Sequence, residues 1–127
     1  MALQTHEDVV RVAFIEDEPA IAELYKLKLE LDGYWVNLLR LGEDTFRRLR
    51  EAPPDLIYVD LSGKSDGAIR LLSAIQKDDG LKNVPVIVLS DDSEAALIAR
   101  GFFPGSANHL IRAFGGAMPR EREWASA

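Results

Sequence analysis

The chain has 127 residues, with 15 basic and 21 acidic side chains and a formal charge of −6. A chain of this length most simply forms one domain with its own core. The lack of cysteine excludes a disulfide framework, Cys-ligated zinc and a thiol nucleophile. The acidic balance disfavours direct nucleic-acid binding, and no apolar run approaches the roughly 20 residues of a membrane helix. We therefore expect a cytoplasmic domain that does not contact the membrane.

The first third of the chain alternates between strand and helix patterns. Val10–Ile15 is short, apolar and rich in β-branched and aromatic residues, which is typical of a strand covered on both faces. Pro19 suits the first turn of a helix, and Gly33 supplies its stop. Between them one apolar helical stripe, of the kind that faces a core, is formed by Ala20, Leu24, Leu27 and Leu31. Tyr34–Leu39 is predicted to be the second strand.

The middle of the chain repeats this alternation. A less regular helix is predicted over Glu43–Glu51, and two prolines at 53 and 54 end it. Leu56–Val59 is the third apolar strand. After a loop, the spacing i, i+3, i+4, i+7 predicts an amphipathic helix through Ala68, Leu71, Leu72 and Ile75.

The last part of the chain continues the pattern and then loses it. Val84–Leu89 is the fourth strand, a helix follows to about Gly101, and Ala107–Ile111 is a weaker fifth strand. Glycines at 115 and 116 and a proline at 119 predict a weak or shortened last helix. Alternating strands and helices imply βαβ units, and hence a doubly wound, five-stranded parallel α/β sheet.

Polar side chains follow the strands of this predicted sheet where each strand ends. Glu16 and Asp17 follow the first strand, Asp60 the third, Ser90 the fourth and Arg112 the fifth. Sites in such sheets form beyond the carboxyl ends of the strands, so these side chains are expected to meet. Clustered carboxylates require a neutralising cation, and Mg²⁺ prefers oxygen ligands. An aspartate there can also act as a nucleophile towards phosphorus.

Over about residues 8–114 the chain resembles the receiver domain of two-component response regulators. The resemblance implies a flavodoxin-like fold for 8–114, and it leaves 115–127 as a short or irregular C-terminal segment. The segments that carry it are FIEDEP (14–19), DLIYVDLS (55–62), PVIVLS (85–90) and GSANHLIRAF (105–114).

The resemblance also implies roles for individual residues. Asp60 matches the phosphoacceptor that a histidine kinase phosphorylates. The Mg²⁺ ligands match Glu16, Asp17, Asp60 and the backbone carbonyl of Ser62. The switch and phosphate-binding positions match Ser90, His109 and Arg112.

Several positions depart from the family pattern around this centre. The family has a lysine followed by proline where this chain has Arg112 and Ala113, and arginine is not equivalent to lysine at such a site. The loop after Asp60 is shorter and lacks proline. Asp91 stands where a small residue is usual, although its spacing to Glu94 also suits a helix cap.

These departures leave more than one function open. The leading interpretation is a phosphoacceptor receiver, a signalling domain and not an enzyme, which switches a surface for an effector domain or partner protein. The alternative is a degenerate pseudo-receiver that acts as a phosphorylation-independent interaction module. The altered loop, Arg112, Ala113 and Asp91 favour this alternative. Two simpler interpretations of single residues also stay open: Arg112 pairs with Asp60 or Asp17 in place of the metal, and Glu16, Asp17 and Glu18 are no more than the acidic start of a helix. A haloacid-dehalogenase-like phosphatase ranks last, because Ser62 stands where its second acid is expected.

Overall fold

The computed structural model describes residues 9–61, 66–90, 94–99 and 108–112, with the backbone alone for Glu94 and for 108–112. These residues form a parallel sheet with the strand order β2-β1-β3-β4-β5. The order is that of the flavodoxin-like doubly wound sheet. Over the described residues, no helix is both long enough and apolar enough to cross a bilayer.

Strands and helices alternate along the chain, as the sequence predicts. The strands are β1 (Arg11–Ile15), β2 (Trp35–Leu39), β3 (Leu56–Asp60), β4 (Val86–Ser90) and β5 (Asn108–Arg112). The helices are α1 (Pro19–Leu31), α2 (Thr45–Glu51), α3 (Gly67–Lys77) and α4 (Glu94–Ala99). The prediction of a weak last helix concerns residues outside the described ranges.

The central strands are buried on both faces, which explains why they are continuous apolar runs in the sequence. On one face, β1 and β3 contribute Phe14 and Tyr58, whose rings stack at 5.3 Å between centroids. The Tyr25 ring of α1 lies 4.9 Å from that of Phe14. The other face packs against α2, α3 and α4, and its buried side chains include Leu49, Leu72 and Leu97. The sheet therefore separates two core layers.

Helix α1 buries a different face from the one that its leucine stripe predicts. Its buried side chains are Ala22, Tyr25 and Leu29. The predicted stripe is exposed to solvent at all four of its positions: Ala20, Leu24, Leu27 and Leu31. The prediction is wrong because α1 is apolar on two opposite faces, and periodicity alone does not decide between them. The aromatic packing of Tyr25 decides it.

The end of α1 confirms the predicted stop. Gly33 has φ +96°, in the left-handed region that favours glycine. The amides of Gly33 and Tyr34 donate to the carbonyls of Glu30 and Leu29 at 3.0 and 3.1 Å. The chain then reverses directly into β2, and the amide of Trp35 donates to the carbonyl of Val10 at 3.0 Å.

Candidate functional site

The register of the sheet brings four strand ends to one edge. Ile15 pairs with Val59, so Glu16 and Asp60 follow paired residues on neighbouring strands. Asp60 pairs with Leu89, and Ser90 pairs with Arg112. The amide of Leu61 donates to the carbonyl of Leu89 at 2.7 Å, so the chain leaves β3 beside the end of β4.

Glu16 and Asp60 form an acidic pair at this edge. Burial is the main reason why the pKa of Glu16 rises from 4.5 to about 8, and the hydrogen bond and charge of Asp60 raise it further. The backbone amides of Glu18 and Asp17 act in the opposite direction. The buried Oε1 of Glu16 accepts no hydrogen bond from the described residues. Two ionised carboxylates can only accept hydrogen bonds, so neither can donate one to the other. This pair therefore needs a bound proton or a cation.

Asp17 is oriented by a contact that the sequence does not reveal. Its Oδ1 accepts a hydrogen bond from the amide of Leu41 at 2.7 Å, and Leu41 lies in the loop between β2 and α2. Glu16 is held similarly, because its Oε2 accepts from the amide of Glu18 at 3.1 Å. Backbone amides therefore position both acids of the pair that follows β1.

The loop that carries Leu41 is fixed by the buried hydroxyl of Thr45. This hydroxyl donates to the carbonyl of Arg40 at 2.7 Å and accepts from the amide of Gly42 at 2.8 Å. No capping pattern in the sequence marks Thr45, because it is the first residue of α2 and its hydroxyl bonds to the preceding loop, whereas the cap position is Asp44. Thr45 holds the loop from which Leu41 reaches the acidic edge.

The three predicted acids line one small cavity of about 70 Å³, together with Ile15, Leu41, Leu61 and Ala68. This volume accommodates an ion with a few waters. Over the ranges that the structure describes, no three acidic or histidine side chains are already arranged around one point. The all-oxygen donor set and the unsatisfied Oε1 of Glu16 nevertheless fit a hard divalent cation such as Mg²⁺.

The other predicted site residues are Ser90, His109, Arg112 and Ser62. Ser90 is fully buried at the end of β4. Backbone pairing places Arg112 beside Ser90 and His109 beside Ile87, deeper in the sheet. Ser62, the predicted carbonyl ligand, and Asp91, the predicted cap, lie outside the described residues. The roles of all these residues stay predictions.

A larger cavity, of about 300 Å³, lies away from the carboxylates. Arg11 and Trp35, at the starts of β1 and β2, line it together with Arg48 and Pro53. It lies towards the amino ends of the strands, whereas the acids lie beyond the carboxyl ends. Its size is therefore no argument for placing the reactive site there.

Comparison with known proteins identifies the family. The sequence profile described as "Response regulator receiver domain" matches residues 12–116. This match covers most of the chain, so the protein belongs to the response regulator receiver domain family. The match confirms the family that the motifs around Glu16, Asp60 and Ser90 predict.

Two curated relatives of this chain are named as transcriptional regulatory proteins. The phosphate regulon transcriptional regulatory protein PhoB of Rhizobium meliloti is 27% identical over 104 residues, which is 82% of this chain and 46% of that protein. The transcriptional regulatory protein CseB of Streptomyces avermitilis is 30% identical over 118 residues, 93% of this chain and 47% of that protein. This chain thus spans about half the length of the curated relatives it matches.

Solved receiver structures share the fold. The signal receiver domain of a signal transduction histidine kinase from Syntrophus aciditrophicus has a TM-score of 0.70 and 28% identity, over 82% of this chain and 78% of that one. The response regulator TrrA from Thermotoga maritima, in complex with Mg²⁺-BeF, has a TM-score of 0.66 at 22% identity. That match covers 84% of this chain and 90% of TrrA, and it supports the fold alone. The predicted parallel receiver architecture is confirmed.

Proposed function

We propose that this receiver domain accepts a phosphoryl group on Asp60 from a partner histidine kinase. The observation that carries the proposal is the juxtaposition of Glu16 and Asp60 at the carboxyl edge of the sheet, with Asp17 lining the same cavity. Glu16, Asp17 and Asp60 are also the positions at which the sequence resembles the metal-binding and phosphoacceptor positions of receiver domains. The alternative of a phosphorylation-independent pseudo-receiver gains no support from the relatives.

Asp60 is the group that reacts. One of its carboxylate oxygens forms a bond to phosphorus while the bond between phosphorus and the kinase's histidine nitrogen breaks. Glu16, Asp17, Asp60 and the carbonyl of Ser62 are the proposed ligands of Mg²⁺. When bound, Mg²⁺ neutralises the acids and the phosphoryl oxygens. Leu41 supports this by holding Asp17 in place through its amide.

Phosphorylation at this edge changes the charge balance among the strand ends. A phosphoryl group adds nearly two negative charges at neutral pH. Ser90, which the sheet places beside this strand end, and Arg112, which pairs with it in β5, are the proposed phosphate-binding groups. Together with His109 they shift the equilibrium between two conformations of the domain that present different surfaces. An effector domain or partner protein recognises one of these surfaces. We place this activity in the cytoplasm.

The proposal is tested with the whole chain and Mg²⁺, using beryllofluoride as a phosphoryl mimic and acetyl phosphate as a donor. Two-dimensional amide NMR spectra should change on adding beryllofluoride, and mass spectrometry should find one phosphoryl group on Asp60. Asp60→Asn should abolish both responses, whereas Asp55→Asn, at the opposite end of β3, should retain them. A wild-type chain that responds to neither reagent at saturating Mg²⁺ would support the pseudo-receiver instead.

A further inference from the structure

The cavity of about 300 Å³ beside the end of α2 takes no part in the acidic site. It lies on the face of the sheet that packs against α2, because Arg11, Trp35 and Asn37 share that face with the buried Leu39. Leu49 lines it from the side of the helix. Its volume is at the lower end of the range for small-molecule sites, so the cavity can hold a small organic molecule.

The cavity exists because α2 is shorter than the strand that it covers. The seven residues of α2 rise about 10 Å, whereas the five residues of β2 span about 16 Å. Pro53 and Pro54 follow almost directly and cannot continue the helix. Trp35 and Asn37, at the start and middle of β2, are therefore left exposed, and Trp35 retains 43% of its accessible surface.

The walls of the cavity combine flat groups with apolar side chains. The guanidinium of Arg11 lies over the Trp35 ring, with 4.5 Å between its central carbon and the ring centroid. Apolar residues that include Leu39, Leu49 and Pro53 line much of the rest. A planar aromatic ring suits such walls, because it buries apolar area and can stack on indole and guanidinium groups.

The charged groups of the lining are positive, although the chain has a formal charge of −6. Among the described residues that line the cavity, Arg11 and Arg48 are basic and none is acidic. Arg48 pairs with Asp44 at 3.3 Å. Over the part of the chain that the structure describes, no carboxylate pairs with the guanidinium of Arg11, and Asp55 accepts from its backbone amide instead, at 2.9 Å. Arg11 thus offers a planar set of donors that matches a carboxylate.

We propose that this cavity binds a small aromatic carboxylate, whose ring lies against Trp35 and whose carboxylate accepts hydrogen bonds from Arg11. Asn37, exposed on the same face of β2, supplies a further side-chain donor in the lining. The cavity has room for about ten non-hydrogen atoms, since one water molecule takes about 30 Å³. It lies towards the amino ends of the strands, so the inference does not depend on Asp60 or on phosphorylation.

NMR titration of the whole chain with phenylacetate, which has ten non-hydrogen atoms, tests the site. The indole N–H of Trp35 and the amides of Ala13, Asn37 and Ala52 should shift along one saturating curve, with a dissociation constant of about 1 mM for a ligand of this size. Phenylacetamide is isosteric but neutral, and cyclohexylacetate keeps the charge but lacks the aromatic ring. Each should bind at least about fivefold more weakly. Equal affinity for either analogue would overturn the inference.

Two matched variants locate the carboxylate. Arg11→Gln should lower the affinity for phenylacetate at least about fivefold and leave that for phenylacetamide unchanged. Arg70→Gln, the same change at an exposed arginine of α3, should leave both affinities as in the wild type. Asp60→Asn should also leave phenylacetate binding unchanged, which separates this site from the proposed phosphoacceptor. A wild-type chain without saturable shifts at these positions, or equal losses in Arg11→Gln and Arg70→Gln, would contradict the proposal.

Discussion

Glu16 is the residue at which the structure adds most to the motif. The sequence identifies it as one of several acids that follow β1, but its environment is distinct from that of an ordinary surface acid. It lies against Asp60, and its buried Oε1 accepts no hydrogen bond from the described residues. In the absence of metal, the two carboxylates of such a site repel each other, and a bound cation or proton removes this repulsion.

Replacing Glu16 should change how stability depends on pH. The pKa of Glu16 is about 8 in the folded chain against 4.5 ordinarily, so the folded state holds the proton more tightly than the unfolded state. Its stabilising contribution is complete below pH 4.5 and is lost as the pH rises through 8. Because Glu16 is only half-buried, we expect a loss of about 1–2 kcal/mol between these limits.

Urea unfolding without divalent cations, at about pH 5 and about pH 9, measures this loss. Glu16→Gln should remove most of the difference between the two pH values. Glu30→Gln, at an exposed acid on α1, should leave the difference as in the wild type. An unchanged difference in Glu16→Gln would contradict the assignment of the shift to Glu16.

At the scale of elements, the loop between β2 and α2 links the fold to the site. Thr45→Val keeps the shape of the side chain but leaves the amide of Gly42 and the carbonyl of Arg40 without their buried partner. We expect the free energy of unfolding to fall by about 1–3 kcal/mol and the Leu41 amide to exchange faster with solvent. Thr45→Ser, which keeps the hydroxyl, should lose much less. Equal losses in both variants would show that packing, and not the hydrogen bonds, fixes the loop.

The two apolar faces of helix α1 can be compared by making the same substitution, Leu→Ala, on each face. Leu29→Ala removes a fully buried side chain and should cost about 2–5 kcal/mol of unfolding free energy. Leu27→Ala, two residues away and mostly exposed, should cost less than about 0.5 kcal/mol in dilute solution. Chemical unfolding of both variants measures the contrast. Similar costs at the two positions would contradict the orientation of the helix.

At the scale of the whole molecule, the sequence predicts which strand ends carry the site better than it predicts the contacts within the site. Apolar runs that stop abruptly at Glu16 and Asp60 mark the strand ends, because strands buried on both faces cannot continue through a charge. The buried face of α1 was not predictable, since tertiary packing of Tyr25 chooses between two apolar faces. The contact of Asp17 with Leu41 was not predictable either, because a backbone amide leaves no signature in the sequence.

Metal binding should stabilise the entire fold, because the acids of the site are joined to the core through β1 and β3. At a Mg²⁺ concentration ten times the dissociation constant, linkage gives about 1.4 kcal/mol of stabilisation. For a domain of this size we expect a rise in Tm of about 3–8 °C, measured by calorimetry against NaCl of matched ionic strength. The double variant Glu16→Gln with Asp60→Asn removes the charges that attract the ion and should lose the rise. If that variant gains as much from Mg²⁺ as the wild type does, the ion binds elsewhere and the proposed ligand set is wrong.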